Sequence, residues 1–234
     1  MHLAAILLAA GRGERLKSRL PKLLLKIKHQ PVIIYSLKAL SLHPDVRDII
    51  VVASVKTRPA LIKKIRQYRI SKVRRVILGG RRRQDSVFAG LKALDTHADF
   101  VLVHDAARPF INKKIISRVI KQAKQSGAAI AGVPVKDTIK EVHSPQSIVH
   151  SKSVIVKRTL DRKSLWEIQT PQVFKRGLLL KAHRKFRAVN ATDDAMLVEK
   201  LGTKVAIVAG SYANIKITTA EDLLLAKTLA RRFL

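Results

Sequence analysis

Leu7-Leu-Ala-Ala-Gly-Arg-Gly-Glu-Arg-Leu-Lys-Ser-Arg-Leu-Pro-Lys22 is the stretch that decides the fold. The apolar run from Leu3 to Leu8 that leads into it has no polar face, which is typical of a strand buried on both sides of a parallel sheet. Gly11 and Gly13 lack a Cβ, so the backbone there can take positive φ and bring its N–H groups close to a ligand. Cations stand among and after these glycines at Arg12, Arg15, Lys17, Arg19 and Lys22. The sequence therefore predicts an anion-binding loop at the carboxyl end of the first strand.

Neither of the two familiar phosphate-loop motifs fits this stretch. The dinucleotide pattern needs a third glycine where Leu16 stands, and the Walker pattern needs Gly-Lys-Ser/Thr, whereas Gly13 is followed by Glu14 and Arg15. The order Leu-Ala-Ala-Gly-x-Gly-x-Arg-Leu, followed by Pro-Lys, instead resembles the signature of sugar-phosphate nucleotidylyltransferases. The alternative is an ordinary strand-to-helix turn with solvated basic residues.

The charge of the chain is far from balanced. Its 47 Lys and Arg against 16 Asp and Glu give a formal net charge of +31. Such a field attracts RNA, DNA, an anionic membrane face or small phosphorylated substrates. The cations are spread along the whole chain and aromatic residues make up only 4% of it. This pattern favours a globally cationic globule over a base-stacking surface, although nonspecific nucleic-acid binding stays possible.

Cysteine is absent from the sequence, which excludes disulfides and thiolate metal sites and is compatible with a cytoplasmic location. No Lys or Arg precedes the apolar start, so a signal peptide is not favoured. No later apolar run approaches the ~20 residues that span a bilayer. We therefore expect a soluble cytoplasmic protein without a membrane partner.

Strands and helices alternate along most of the chain, which predicts right-handed βαβ crossovers and a largely parallel sheet. The length fits one large α/β domain or two small ones, enough to bury roughly 70% of the unfolded chain's surface. No interdomain linker is visible, so we expect a single domain over residues 1–234. The predicted strands cover 3–8, 23–27, 49–53, 73–78, 100–104, 129–135, 205–208 and 215–217. The predicted helices cover 31–42, 59–68, 84–94, 113–125 (closed by Gly127) and 193–201, with one more after Pro171 and a last one opened by a capping box at Thr218-Thr-Ala-Glu221.

The alternation breaks between Lys136 and Glu167, where Val and Ile alternate with polar residues around His143-Ser-Pro-Gln. This pattern predicts a two-stranded hairpin and a connection, an arm over residues 137–162. An isolated hairpin is marginally stable in water, so we expect the arm to pack against a second subunit. The alternative is that it folds back on its own domain.

Polar groups follow several predicted strands, at the sheet edge where open α/β folds bind ligands. Asp105 in Val103-His-Asp-Ala-Ala-Arg-Pro109 suits a divalent cation that bridges nucleotide phosphates, or else it caps a turn and pairs with Arg108. In the loop from Gly79 to Ser86, the glycines allow a base to approach closely and Ser86 offers a hydroxyl; Asp85 or Ser86 could instead cap the next helix. Lys216 in an apolar segment needs an anion unless it reaches solvent. The remaining polar and aromatic groups nearby, His104, Trp166 and Thr170-Pro-Gln172, are interpreted as structural.

Taken together, these motifs resemble the bacterial 2-C-methyl-D-erythritol 4-phosphate cytidylyltransferases of the non-mevalonate isoprenoid pathway, along essentially the whole chain. The resemblance rests on nine short matches: Ala9-Ala-Gly-x-Gly-x-Arg15, Pro21-Lys22, Gly79-Gly80 through Asp85-Ser86-Val87, Val103-His-Asp-Ala-Ala-Arg-Pro109, Asp137-Thr138, Thr159-Leu-Asp-Arg162, Leu165-Trp166, Thr170-Pro-Gln172 and Asn214-Ile-Lys-Ile-Thr218. It implies a Rossmann-like nucleotidyltransferase fold, a mainly parallel twisted sheet flanked by helices with a protruding β-arm.

The resemblance also implies roles for particular residues. The cytosine and ribose of CTP would be held by Ala9, Ala10, Gly11, Gly13, Gly80 and Ser86. The CTP phosphates would be surrounded by the catalytic residues Arg15, Lys22 and Lys216. Asp105 would hold Mg²⁺ and bear on the second substrate. In the family the arm reaches the partner's site, so Thr138 and Arg162 would bind methylerythritol phosphate across a homodimer.

Two features depart from what the family leads us to expect. The net charge is much higher, with Arg81-Arg-Arg83 making the nucleotide loop unusually basic, and Ala213 stands where relatives often have an acidic residue. Two other functions remain open at this point. A ribitol 5-phosphate cytidylyltransferase would share the nucleotide motifs, and a cationic nucleic-acid-binding protein could use the same fold.

Overall fold

A computed structural model of the chain describes residues 1–11, 20–95, 97–143 and 154–233. Its centre is a seven-stranded sheet in the order β11-β7-β10-β6-β1-β4-β5. The strands of this sheet are β1 (Leu3–Ala9), β4 (Val46–Ala53), β5 (Val73–Leu78), β6 (Phe100–Asp105), β7 (Ala128–Pro134), β10 (Trp166–Lys175) and β11 (Ala206–Ala209). All neighbouring pairs are parallel except the two made by β10, which runs antiparallel to β6 and β7.

Two short ladders lie outside the central sheet. β2 (Lys26–Ile27) pairs with β3 (Gln30–Pro31), and β8 (Lys140–Val142) pairs with β9 (Val156–Thr159). The second ladder is the arm that the sequence predicts. Its tip lies outside the described residues.

Seven helices among the described residues cover the two faces of the sheet. Their bounds are α1 (Val32–Ser41), α2 (Arg58–Gln67), α3 (Arg83–Ala93), α4 (Lys113–Ser126), α5 (Arg176–Lys185), α6 (Asp194–Glu199) and α7 (Ala220–Phe233). α1, α2, α4 and α7 pack on one face, and α3, α5 and α6 pack on the other. A hydrophobic core lies on each face of the sheet, and β1 contributes side chains to both. Leu3, Ala5 and Leu7 face the first helical layer, while Ala4 and Ile6 face the second.

The predicted α/β fold with a mainly parallel sheet is confirmed, and most element boundaries agree within a few residues. Gly127 closes α4 in the left-handed region at φ 81°, as the sequence predicts. Among the described residues, no helix is both long enough and apolar enough to cross a bilayer.

The helix predicted after Pro171 is present, but it begins at Arg176 because Pro171 lies inside strand β10. Three local predictions are wrong. Residues 23–27 form a 3₁₀ turn at Lys22–Leu24 before the short β2, and residues 215–217 are not a strand. The capping box of α7 lies one residue later than expected: the Asp222 carboxylate accepts from the Thr219 N–H at 2.9 Å, and the Asp222 N–H donates to Thr219 Oγ1 at 3.3 Å.

Candidate active site

Two cavities open at the carboxyl end of the parallel strands. The first, the β1 cavity, has a volume of about 420 Å³ and lies among the loops that follow β1, β4 and β5. The second, the β10 cavity, has a volume of about 580 Å³ and lies along β10, with Ile130 of β7, Ile207 of β11 and Met196 of α6 on its walls. Clefts of this size at this edge of an open sheet suit small-molecule ligands.

Three charged side chains line both cavities: Arg83 in the first turn of α3, Asp105 at the end of β6, and Lys216 in the segment before α7. Lys216 Nζ lies 2.7 Å from Asp105 Oδ2, and Arg83 Nε lies 3.6 Å from Asp105 Oδ1. The cavities therefore share a wall made of one carboxylate and two cations. Lys216 has the anionic partner that its apolar surroundings predict.

Asp105 is almost completely buried, at 7% exposure. Burial alone would raise the pKa of its carboxyl group, but the charges of Arg83, Lys216 and Arg108 outweigh burial and hold the pKa well below its usual range. Asp105 is therefore ionised at every physiological pH.

The segment that carries Lys216 is fixed by bonds on both sides of the lysine. Asn214 is fully buried and donates from Nδ2 to the Thr170 carbonyl at 3.0 Å, while its own carbonyl accepts from Arg108 Nη1 at 2.7 Å. The Ile217 N–H donates to the Ala107 carbonyl at 2.9 Å. These bonds hold Lys216 opposite Asp105 without any strand pairing.

His104 belongs to a chain of hydrogen bonds behind Asp105. Its Nε2 lies 3.3 Å from the Arg108 carbonyl, which can only accept, so Nε2 carries the proton. Burial, with smaller effects of Arg108 and Lys216, lowers the His104 pKa to about 4, so the ring is neutral at pH 7. Its Nδ1 can then accept from the Thr170 hydroxyl at 2.9 Å, and that oxygen accepts from the Asp105 N–H at 3.0 Å. His104 thus positions the Asp105 backbone, which confirms its structural interpretation.

The loop after β5 is closed by its own polar groups. Ser86 Oγ accepts from the Gly80 N–H at 3.2 Å, and Asp85 accepts from the Arg82 N–H at 3.1 Å. A Cβ on Gly79 would lie 2.6 Å from Ser86 Oγ, and one on Gly80 would overlap the Asp85 Cβ. Gly80 is needed because α3 starts so close to the loop, and Gly79 is needed because both Ser86 and Ala10 lie against it. Asp85 caps α3, which confirms the alternative interpretation of this residue as a helix cap.

Most of the predicted site residues meet in the β1 cavity. Its walls include Ala9, Ala10, Gly11, Lys22, Gly80, Ser86, Asp105 and Lys216. Thr138 and Arg162 are exposed on the arm and line neither cavity of their own chain. Gly13 and Arg15 lie outside the described residues.

Several residues of the site were not predicted from the sequence. Arg83 stands in a run of three arginines, and nothing in the run marks it as the one that reaches Asp105. Asp194 contacts Arg83, and His183 contacts Asp194; both are distant from Arg83 in sequence and carry no recognisable motif. Trp166, Thr170 and Gln172 line the β10 cavity, so their interpretation as purely structural is incomplete.

On a sheet of this topology, two cavities that share a cation-flanked carboxylate fit the class of nucleotidyltransferases. Residues 3–232 match the model of the family IspD, 2-C-methyl-D-erythritol 4-phosphate cytidylyltransferase. The chain therefore belongs to that family.

Individual relatives agree with this assignment over nearly their whole length. The 2-C-methyl-D-erythritol 4-phosphate cytidylyltransferase of Shouchella clausii is 44% identical over 234 residues, which cover 99% of this chain and 98% of its own. The protein of the same name from Dictyoglomus thermophilum is 43% identical over 225 residues, with 95% and 94% covered. The crystal structure of 4-diphosphocytidyl-2C-methyl-D-erythritol synthase from Anaerococcus prevotii matches this fold with a TM-score of 0.84 at 31% identity, covering 99% of this chain and 96% of that one.

Proposed function

We propose that this chain transfers the cytidylyl group of CTP to 2-C-methyl-D-erythritol 4-phosphate and releases pyrophosphate. The observation that carries the proposal is the meeting of two cavities at Arg83, Asp105 and Lys216. Two phosphorylated reactants, one in each cavity, would bring their phosphates together at this wall. Family membership supports the same pair of reactants.

CTP would occupy the β1 cavity. The backbone of Ala9, Ala10 and Gly11, together with the loop that contains Gly80 and Ser86, would hold cytosine and ribose. Lys22 and Lys216 would face the triphosphate, with Arg15 and Gly13 from the segment outside the described residues. The β10 cavity would then take the methylerythritol phosphate.

The reaction needs little acid–base chemistry from the protein. A phosphate oxygen of the substrate, already anionic at neutral pH, attacks the α-phosphorus of CTP, and the bond from that phosphorus to the bridging β-oxygen breaks as pyrophosphate leaves. The protein must align the reactants and offset the repulsion between their charges. Lys22 and Lys216 would bind more strongly as charge builds on the transferred group, which stabilises the transition state.

Asp105 fits a divalent cation that is bound together with the substrate. It is the only acidic residue among the described residues that line the β1 cavity, and it stays ionised. No group of three or more acidic, histidine or cysteine side chains suited to a metal occurs in the part of the chain that the structure describes. Mg²⁺ is commonly held by one or two carboxylates and substrate phosphates, which matches this donor set. When bound, the cation would offset phosphate charge and ease the departure of pyrophosphate.

The arm suggests how the site would be completed by a second subunit. Thr138 and Arg162 are exposed on it, and Arg162 Nη1 donates to the Lys136 carbonyl at 2.6 Å. Three consecutive apolar residues, Val154, Ile155 and Val156, are also exposed there, at 36%, 72% and 51%. We infer a homodimer in which each arm carries Thr138 and Arg162 to the partner's β10 cavity.

The test is pyrophosphate release from CTP and Mg²⁺ with methylerythritol phosphate or ribitol phosphate, with ATP, GTP and UTP as controls. We expect release only with CTP and methylerythritol phosphate. In Lys22→Ala, turnover should fall roughly 10²-fold, because a charge that faces the transition state is lost. Release only with ribitol phosphate would contradict the proposed substrate, and no release with any pair would contradict the activity.

A further inference from the structure

Arg83 lies between two carboxylates and contacts them unequally. Its Nη1 donates to Asp194 Oδ2 at 2.7 Å, whereas its Nε lies 3.6 Å from Asp105 Oδ1. The other oxygen of Asp194 accepts a hydrogen bond from His183 Nε2 at 3.0 Å. The side chains of Asp194 and His183 are both only 1% exposed. Arg83 is therefore held by a short ion pair with Asp194, whereas its contact with Asp105 is longer.

His183 is itself held in place by packing. Its ring stacks on Phe88 of α3, with centroids 6.2 Å apart and an angle of 6° between the planes. α3 carries Arg83, α5 carries His183 and α6 begins at Asp194, so the three polar groups join three helices on one face of the sheet. This arrangement fixes the Asp194 carboxylate relative to the sheet edge.

A buried ion pair is costly and is weak evidence for a purely stabilising role, because apolar residues of similar size often serve stability as well. The contacts of Asp194 favour a different role. If Asp194 carried no charge, Arg83 would find its nearest anion in Asp105 and would close the 3.6 Å gap to form a short ion pair. Arg83 and Lys216 would then occupy both oxygens of Asp105.

We propose that Asp194 is a positioning residue that keeps Arg83 off Asp105, so that the guanidinium and the carboxylate both remain available to the phosphates that meet between the cavities. The proposal rests on the proposed function. Arg83 then contacts the reacting groups, and Asp194 acts only through Arg83.

The test compares Asp194→Asn with Asp48→Asn as a matched control. At the opposite end of the sheet, Asp48 also contacts one arginine and one histidine, with Arg74 Nε at 2.5 Å and His2 Nε2 at 2.8 Å. We expect kcat for cytidylyl transfer to fall about 100-fold in Asp194→Asn, since the reacting groups are misplaced. The KM for CTP should stay close to the wild-type value because the base-binding loops are unchanged. Asp48→Asn should keep wild-type kcat.

A double variant separates positioning from folding. If Asp194 acts through Arg83, Arg83→Gln/Asp194→Asn has the same kcat as Arg83→Gln, and the two losses do not multiply. This variant buries no unpaired charge, and in Arg83→Gln Asp194 keeps its hydrogen bond from His183, so the comparison carries the test even where Asp194→Asn alone does not fold. A further tenfold loss in the double variant, or wild-type kcat with a lowered melting temperature in Asp194→Asn, would overturn the proposal. No turnover in wild type would instead contradict the proposed function.

Discussion

His104 is a fully buried histidine whose ring the fold keeps neutral. Its pKa is lowered from 6.5 to about 4, chiefly by burial. Between these values the unfolded chain binds a proton that the folded chain excludes, so stability falls as the pH falls. The full loss is about 3 kcal/mol for a shift of this size.

We expect the His104→Gln variant, which keeps an amide donor for the Arg108 carbonyl, to lose less stability than wild type between pH 6.5 and 4. Urea unfolding across this range measures the difference. His97→Gln is the control, because the His97 side chain is 84% exposed. The same pH dependence in His104→Gln and wild type would contradict the prediction. Burial also lowers the pKa of His43, so part of the pH dependence should remain.

The sequence predicts those site residues that stand next to a recognisable strand end or strand-to-helix loop. Asp105 was predicted because it ends a buried strand, and Gly80 because a strand-to-helix loop needs close approach. Arg83 could not be distinguished from Arg81 and Arg82 in this way. Which of three adjacent arginines reaches Asp105 depends on where α3 starts and on a carboxylate more than a hundred positions away, at Asp194.

At the scale of elements, the loop after β5 and the start of α3 form one tightly packed unit. A Cβ on Gly80 would overlap the Asp85 Cβ and push the loop away from the helix. Overpacking of this kind costs about 1 to 3 kcal/mol. We expect Gly80→Ala to raise the KM for CTP by roughly 10-fold or more.

The control for this loop is Gly177→Ala at the start of α5, where an added Cβ meets no atom within 4 Å. Steady-state kinetics with CTP varied at saturating methylerythritol phosphate would measure both variants. An unchanged KM for CTP in Gly80→Ala would show that the loop does not bind the nucleotide.

The arm allows a test of site sharing between subunits. We expect Arg162→Ala and Lys216→Ala homodimers each to be nearly inactive. In a mixed dimer, both defects fall on one site and the other site is intact. Random pairing of equal amounts should therefore restore about a quarter of wild-type turnover. Co-purified mixtures that show only the average of the two parents would contradict a shared site.

Strand β10 shows why part of the fold was not predictable. Proline is tolerated in a sheet at edges or irregularities, and the pairing of β10 with β7 shifts register between Ile168 and Gln172, around Pro171. In the sequence, Pro171 follows the polar residues Gln169 and Thr170, and a proline in this setting is also typical of the first turn of a helix. The parallel strands were easier to predict from the sequence, because runs such as Ile49 to Ala53 are apolar on both faces.

At the scale of the whole molecule, positive charge is distributed over both helical layers. α4 has five cations and no acid, and α5 on the other face has four and none. We therefore expect duplex RNA binding that is independent of sequence and strongly weakened by salt. Binding isotherms at several salt concentrations would measure the slope of log K against log salt.

Two charge-matched triple variants test whether this binding has a dedicated surface. Lys114→Gln/Arg118→Gln/Lys121→Gln removes exposed cations from α4, and Lys181→Gln/Arg184→Gln/Lys185→Gln does so on α5. Both variants should reduce the magnitude of the slope of log K against log salt by similar amounts, at most about 3. Loss of binding in one variant alone would reveal a specific interface and contradict this expectation. Cytidylyl transfer should persist in the α4 variant, whose substituted residues line neither cavity.

Trp166 is the single tryptophan of the chain, and it lies 38% exposed on the wall of the β10 cavity, at the end of the connection from the arm. Its indole emission therefore comes from one place only. A ligand that enters that cavity, or a subunit that covers it, changes the polarity around one known fluorophore. The protein thus carries an intrinsic optical probe, by which occupancy of the second cavity can be followed in real time without any label.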